Sequence, residues 1–394
     1  MTQDDVATHL GVSRSTVAQI EANNRSVSSL ELDRLAYLFG RDLREFLADG
    51  FEEQDSLVAL FRAKPDVAGQ PEVMEKLREC IALGRELTNL ERILGVDRDQ
   101  GTTASYPMPA PKNRWEAVLQ GERMAEEERR RLGLGTGPAP SMAELIEAQG
   151  VRTGMVDLPD DVSGLTINDQ RIGLFVVANR KHARVRRRFS FAHEYAHVVA
   201  DRGLFGMVSR TSERDDLLEV RANSFAARFL MPEDGVRHFV ANLGKGKPSR
   251  AYIDVPDGTN GPPLNIEGRS IPGSQDVQPY DVVQLASHFE VSCQTAVYRL
   301  RHLRIITDAA LELLRQKLDE EGKVEDLSSL LGLPAPNHEG ERNQFRHRFL
   351  GLALEAYRRD EISGDKLREL AAMVEMTPAD VERLVIESLG AEAL

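Results

Sequence analysis

Apolar residues recur at helical spacing along most of the chain, and only one stretch breaks that rhythm. Two short helices are predicted over residues 2–10 and 13–23, joined by a Gly11-Val12 turn, with Thr2 and Asp5 as a capping box and Ser13 capping the second. Ser28 and Glu31 open a third, whose apolar face is Leu32, Leu35, Ala36 and Phe39. From Phe51 to about Val96 the pattern stays helical: Val73, Leu77, Ile81, Leu87, Leu90 and Leu94 share a face that either packs within the chain or pairs two copies as a homodimer. Pro107, Pro109 and Pro111 mark a linker. A charged helix from about Asn113 to Arg131 and a short one from Ser141 to Gln149 follow, each closed by glycine.

The rhythm changes between Val151 and Asn179. There β-branched and aromatic residues over 151–156 and 171–177 predict a small sheet, with Ser163-Gly164 and Asn168-Asp169 as turn signals. Helices return over 187–201 and 215–231. Residues 244–275, rich in Gly and Pro, read as a flexible loop, and the rest is helical, broken near Pro334 to Gly340. The expected class is mainly α around an α+β core. The expected units are a helical head (1–50), a helical spacer with its Pro-rich linker (51–111), a core (112–243), the loop (244–275), a helical module (276–335) and C-terminal helices (336–394).

The chain has 394 residues, 29% of them charged, with a formal net charge of −13. That sum disfavours indiscriminate coating of nucleic acid but leaves room for a small DNA-reading module, since affinity follows local charge. Cys80 and Cys293 are the two cysteines, 213 positions apart and in no C-x-x-C pattern, so neither a disulfide framework nor a thiolate zinc cluster is expected. No apolar run approaches the length of a membrane span. A cytoplasmic protein with no membrane partner is the expectation.

The sharpest chemistry lies in Phe191-Ala192-His193-Glu194-Tyr195-Ala196-His197. On a helix, His193 and His197 at i and i+4 share one side about 6 Å apart, close enough to bind one Zn2+ ion. Glu194 cannot ligate from there, but it can take a proton from water as a general base. Position 200 is Ala and position 203 is Gly, which excludes the metzincin extension. On the next helix, Glu219 stands with Ala222 and Ala226 one and two turns on, small enough for close approach, and Asn223 is placed to accept a ring N–H from a ligating histidine. Asp201, Glu213, Asp215 and Asp216 are weaker ligand candidates. Tyr195, His238 and Tyr252 are unranked candidates for stabilising an oxyanion.

Residues 120–232 resemble the ImmA/IrrE-type zinc metallopeptidases. The resemblance rests on Gly150, Ser163-Gly164, Leu174 to Asn179, Arg188-Phe189, His193 to His197, Glu219 to Ala226 and Leu230-Met231-Pro232. It implies a zincin-like, gluzincin-type endopeptidase in which His193, His197 and Glu219 ligate zinc and Glu194 is the catalytic residue. The substrate it implies is a repressor-type protein.

Residues 2–47 resemble the Cro/repressor-type (XRE) helix-turn-helix, through Val6-Ala7, Leu10-Gly11-Val12-Ser13, Val17 and Ile20-Glu21. Gln3, Arg14, Ser15, Gln19 and Asn23 are left for operator DNA. Such domains ordinarily carry a helix before Thr2-Gln3, so either the start is placed late or this head is incomplete. Asp281 to Leu303 forms a second helix-turn-helix candidate, equally suited to packing and to DNA. Arg180, Lys181, Arg184, Arg186, Arg187 and Arg188 form a solvated helix start or a steering patch. The combined expectation is a DNA-binding transcriptional regulator fused to a zinc endopeptidase. The competing reading makes the peptidase fold a sensor without proteolysis.

Overall fold

The computed structural model describes residues 2–39, 46–47, 71–96, 103–169, 172–202, 206–210, 215–246, 250–255, 264–269, 271, 273–334 and 344–389. The head holds α1 (Gln3–Leu10), α2 (Arg14–Glu21) and α3 (Ser29–Phe39) around Val6, Ala7, Leu10, Val17, Leu35 and Leu38. Its caps are those the sequence predicts: Thr2 with Asp5, Ser13 on Thr16, and Ser28 with Glu31. Gly11 takes the left-handed backbone (φ 70°) that turns α1 into α2.

Next come α4 (Pro71–Ile93), α5 (Arg114–Arg131) and α6 (Met142–Ala148), then strands β1 (Arg152–Val156), β2 (Val162–Asp169) and β3 (Gly173–Asn179). After these follow α7 (Arg184–Ala200), β4 (Gly206–Arg210), α8 (Leu217–Leu230) and α9 (Glu233–Asn242). The sheet runs β1-β3-β2-β4, with β1 parallel to β3 and the other pairs antiparallel. Two expectations change here. Ser163-Gly164 and Asn168-Asp169 lie inside β2 rather than at turns, because Gly164 serves a close approach described below. β4, an apolar core of only two or three residues, was not foreseen.

Side chains alternate along β3 and so belong to two cores. Val176 and Ala178 face the cluster built on α7 and α8, whereas Phe175 and Val177 face one shared with Ile81, Leu87 and Leu90 of α4 and Leu94 just after it. The apolar face from Ile81 to Leu94 is therefore covered within the chain. The same second core takes in α14 (Gln344–Arg358), α15 (Gly364–Met373) and α16 (Pro378–Leu389), so spacer and tail together close the back of the sheet. Buried Glu91 ties them, accepting from Arg152 of β1 (2.6 Å) and Arg348 of α14 (2.9 Å). The Pro-rich linker is docked as well: Tyr106 N–H donates to the Val199 carbonyl (2.6 Å).

Within the stretch expected to be loop, β5 (Arg250–Val255) and β6 (Leu264–Arg269) pair as an antiparallel hairpin. Then α10 (Pro279–Phe289), α11 (Cys293–His302), α12 (Asp308–Leu318) and α13 (Lys323–Leu330) complete the first core. The α10–α11 turn repeats the head's geometry: left-handed Glu290 (φ 53°), buried Val291 and capping Ser292. A third copy, unforeseen, joins α15 to α16 through left-handed Glu375 (φ 60°) and Thr377, which caps onto Asp380. In α11, Arg299 is buried and donates to the Met231 carbonyl (3.0 Å) and to Glu122 (2.9 Å), so packing is the use this module makes of it.

The basic cluster before the metal-motif helix is likewise engaged. Arg180 pairs with Asp157 and Glu375, Arg184 with Glu290, and buried Arg188 donates to the carbonyls of Ala139 and Pro140. Four arginines in the first turns of α7 oppose its dipole, and Glu290, close to Arg184 and Arg188, offsets part of that. Lys181 and Arg186 are the exposed members.

Candidate metal centre

Helix α7 lies across β2 and β3, and α8 lies against α7 where Ala192, Ala196, Ala222 and Ala226, all buried, let the two backbones approach. On an adjacent face of α8, α5 comes close at Gly121. A Cβ there would stand 2.3 Å from the Arg221 carbonyl oxygen and 2.9 Å from Phe225 N. One polar anchor fixes α7 from behind. Tyr195 donates to buried Glu128 (2.5 Å), which also accepts from Tyr106 (2.8 Å) and Arg131 (2.7 Å).

This packing brings His193, His197 and Glu219 together, all buried, each offering one atom within 4.8 Å of the others. His193 Nε2 lies 3.0 Å from Glu219 Oε2, and the two Nε2 atoms are 3.3 Å apart. The outer ring nitrogens fix the tautomers. His193 Nδ1 faces Asn223 Oδ1 at 3.0 Å and His197 Nδ1 faces Asp201 Oδ2 at 2.9 Å, both acceptors. Each Nδ1 therefore carries hydrogen, and both Nε2 atoms point at the Glu219 carboxylate. A carboxylate facing two nitrogen lone pairs repels them unless a proton or a cation lies between. Glu219 Oε1 is also buried without a hydrogen-bond partner. The donor set, two imidazoles and one carboxylate, fits a divalent metal.

Electrostatics agree with the geometry. Burial raises the Glu219 carboxyl, but its close contacts with the His193 and His197 rings outweigh it and hold the group well below the usual range. Burial opposes charge on His197, yet hydrogen bonds to Asp201 and Glu219 prevail and its pKa is pushed up to about 10.

Glu194 is fully buried beside the cluster. Its Oε2 accepts from Thr166 Oγ1 of β2 (2.8 Å), while Oε1 has no hydrogen-bond partner. Burial raises its pKa, only partly countered by the two histidines. Gly164 makes room for it, since a Cβ there would lie 2.9 Å from Oε1. Ser209 of β4 places Oγ 3.1 Å from His193 Nε2.

The other sequence candidates fall elsewhere. Asp201 reaches the outer nitrogen of His197 and is pinned by Arg221, so it orients a ring rather than joining the cluster. Asp215 pairs with Arg114 at the surface, and Asp216 caps α8. Glu213 lies outside the described residues. Tyr195 is turned toward Glu128, His238 is exposed on α9, and the Tyr252 side chain lies outside the described residues. Sequence reasoning missed Thr166, Ser209 and the orienting role of Asp201. In the head, Arg14, Ser15 and Gln19 are exposed along α2, and Asn23 follows it at φ 57°. Gln3 bridges Arg14 (3.3 Å) and Glu21 (2.6 Å).

Residues 146–247 match the family model described as the IrrE N-terminal-like domain (Peptidase_M78), and residues 1–46 match a helix-turn-helix model. No curated protein matches the chain. The two family matches bear out both resemblances: the chain joins a helix-turn-helix of DNA-binding type to a metallopeptidase-type domain. No helix among the described residues is long and apolar enough to cross a membrane.

Proposed function

We propose that the chain is a DNA-binding transcriptional regulator carrying a zinc-dependent endopeptidase whose substrate is a repressor-type protein. The observation that carries the catalytic half is the meeting of His193 Nε2, His197 Nε2 and Glu219 beside a buried carboxylate with one unpartnered oxygen. His193, His197 and Glu219 hold the zinc, which when bound supplies Lewis acidity toward the scissile carbonyl and makes water more acidic. Glu194 Oε1 takes a proton from the attacking water and returns it to the leaving nitrogen. Thr166, bonded to Oε2, aims that oxygen, and the raised pKa of Glu194 suits a group that must both accept and give a proton near neutrality. Asn223 and Asp201 fix the two imidazoles so that their lone pairs face the metal.

Arg14, Ser15 and Gln19 of α2 face the operator, with Gln3 and Asn23 at its margins. The head carries no net positive charge, so affinity rests on specific contacts and on two heads binding together in a homodimer. The test is metal analysis of the purified protein, incubation with candidate repressors and gel shift on the upstream region of its own gene. One zinc per chain with a cleaved repressor supports the reading. Zinc without cleavage of any candidate would favour the non-proteolytic sensor.

Two further results are expected. Asp201→Asn should weaken metal binding about 10- to 100-fold, as loss of an outer-shell partner does, read by competition with a chromogenic chelator. Unchanged affinity would deny Asp201 its orienting role. Metal affinity should also rise with pH. Below about 10 the His197–Glu219 pair holds a proton that the metal must displace, so affinity climbs roughly tenfold per pH unit between about pH 6 and 9. A flat profile, after correction for the chelator's own protonation, would contradict this.

A further inference from the structure

The strands beside the metal cluster carry one polar group that the mechanism above does not use. Ser209 lies on β4, the edge of the sheet, directly opposite Gly164, the residue on which Glu194 rests. It is buried, its carbonyl accepts from Ser163 Oγ (3.1 Å), and that bond fixes the strand where it passes the cluster. Its hydroxyl points to His193 Nε2 at 3.1 Å. Because Nδ1 of that ring carries the hydrogen toward Asn223, Nε2 is an acceptor, and Ser209 is the donor.

We infer that Ser209 is a further catalytic residue, whose hydroxyl donates a hydrogen bond to the oxyanion that forms on the scissile carbonyl of the substrate. The inference rests on the peptidase reading. Ser209 also hydrogen-bonds the Glu194 carboxylate, so once His193 Nε2 is engaged by a metal and its lone pair no longer accepts, the O–H is left between that carboxylate and the place of the substrate carbonyl. When Glu194 takes the proton from the attacking water it becomes a weaker acceptor, and the acceptor whose charge grows at that moment is the carbonyl oxygen drawn to the same cluster. The interaction strengthens as negative charge develops on that oxygen, so it favours the transition state over bound substrate. No bond to Ser209 forms or breaks, and its proton stays on Oγ. A hydroxyl reaching from the neighbouring strand supplies what no residue of α7 offers, since Tyr195 faces away.

The experiment uses the full chain loaded with Co(II), with acetohydroxamate as the anionic probe, comparing wild type, Ser209→Ala and Ser209→Thr by visible absorption. Each protein should take up one Co(II). Ser209→Ala should bind acetohydroxamate about tenfold more weakly, the loss of one hydrogen bond to a charged acceptor, while Ser209→Thr, which keeps the hydroxyl, restores it. On a cleavable repressor, Ser209→Ala should lower kcat and leave KM unchanged. Equal acetohydroxamate affinity in wild type and Ser209→Ala overturns the inference. So does loss of Co(II) from Ser209→Ala, which would assign the hydroxyl to holding the metal. Co(II) uptake by wild type with no cleavage of any repressor would sink the peptidase reading by itself, while Ser209 still stands or falls on the hydroxamate comparison.

Discussion

Glu194→Gln is expected to lower cleavage by about 10²- to 10⁴-fold while leaving one zinc bound per chain. The amide keeps the size and the bond from Thr166 Oγ1, so the helix and its neighbours have no reason to move. What disappears is the basic oxygen. In the native chain that oxygen is Oε1, buried, partnerless, and set where Gly164 leaves a Cβ-sized gap. The pairing of measurements matters, because a variant that lost both metal and activity would report only a damaged site. Retained zinc with retained cleavage would remove Glu194 from the mechanism altogether. Gel shift on the same variant should be unchanged, since α2 shares no side chain with the cluster.

Gly121→Ala should lower both the stability of the fold and its metal content. The added carbon would meet the Arg221 carbonyl and Phe225 N of α8, both backbone, which cannot rotate out of the way. Helix α8 must then withdraw from α5, and the unfavourable overpacking is about 3 kcal/mol. Glu219 travels with α8, so metal content should fall along with stability. Thermal unfolding and zinc analysis on Gly121→Ala together check both halves. Native stability with full metal content would show that α5 and α8 have slack that the distances deny.

The centre was legible where its logic is local. His193, Glu194 and His197 share one helix, and their geometry follows from 3.6 residues per turn. Glu219 and Asn223 repeat that logic on a second helix, whose small residues announced a close neighbour. Legibility ends where strands pass beneath the helix. Nothing in the order of residues says that Thr166 lies under Glu194, or that a glycine taken for a turn is there to let a carboxylate in. Asp201 illustrates a finer limit: helical spacing put it near His197, but spacing does not reveal which ring nitrogen it meets. The apolar face of α4 was equally visible, whereas its partners, β3 and helices some 260 residues later, were not. The third helix-turn-helix turn was not read from the sequence; its left-handed position is held by Glu375, as Glu290 holds that of the second, and the Glu375 side chain pairs with Arg180.

The grip of α5 on the site has a bearing on inheritance and trimming. The recognised stretch begins at residue 146, yet α5, which backs the helix carrying Glu219, ends at Arg131. Ser224 donates to the Val118 carbonyl, Arg129 to that of Phe229, and Tyr195 depends on Glu128. The module that sequence comparison detects is thus smaller than the body that folds. A gene fusion or protease cut placed at residue 146 would separate a motif from its own foundation, while one placed before residue 103 would move the two as a single piece.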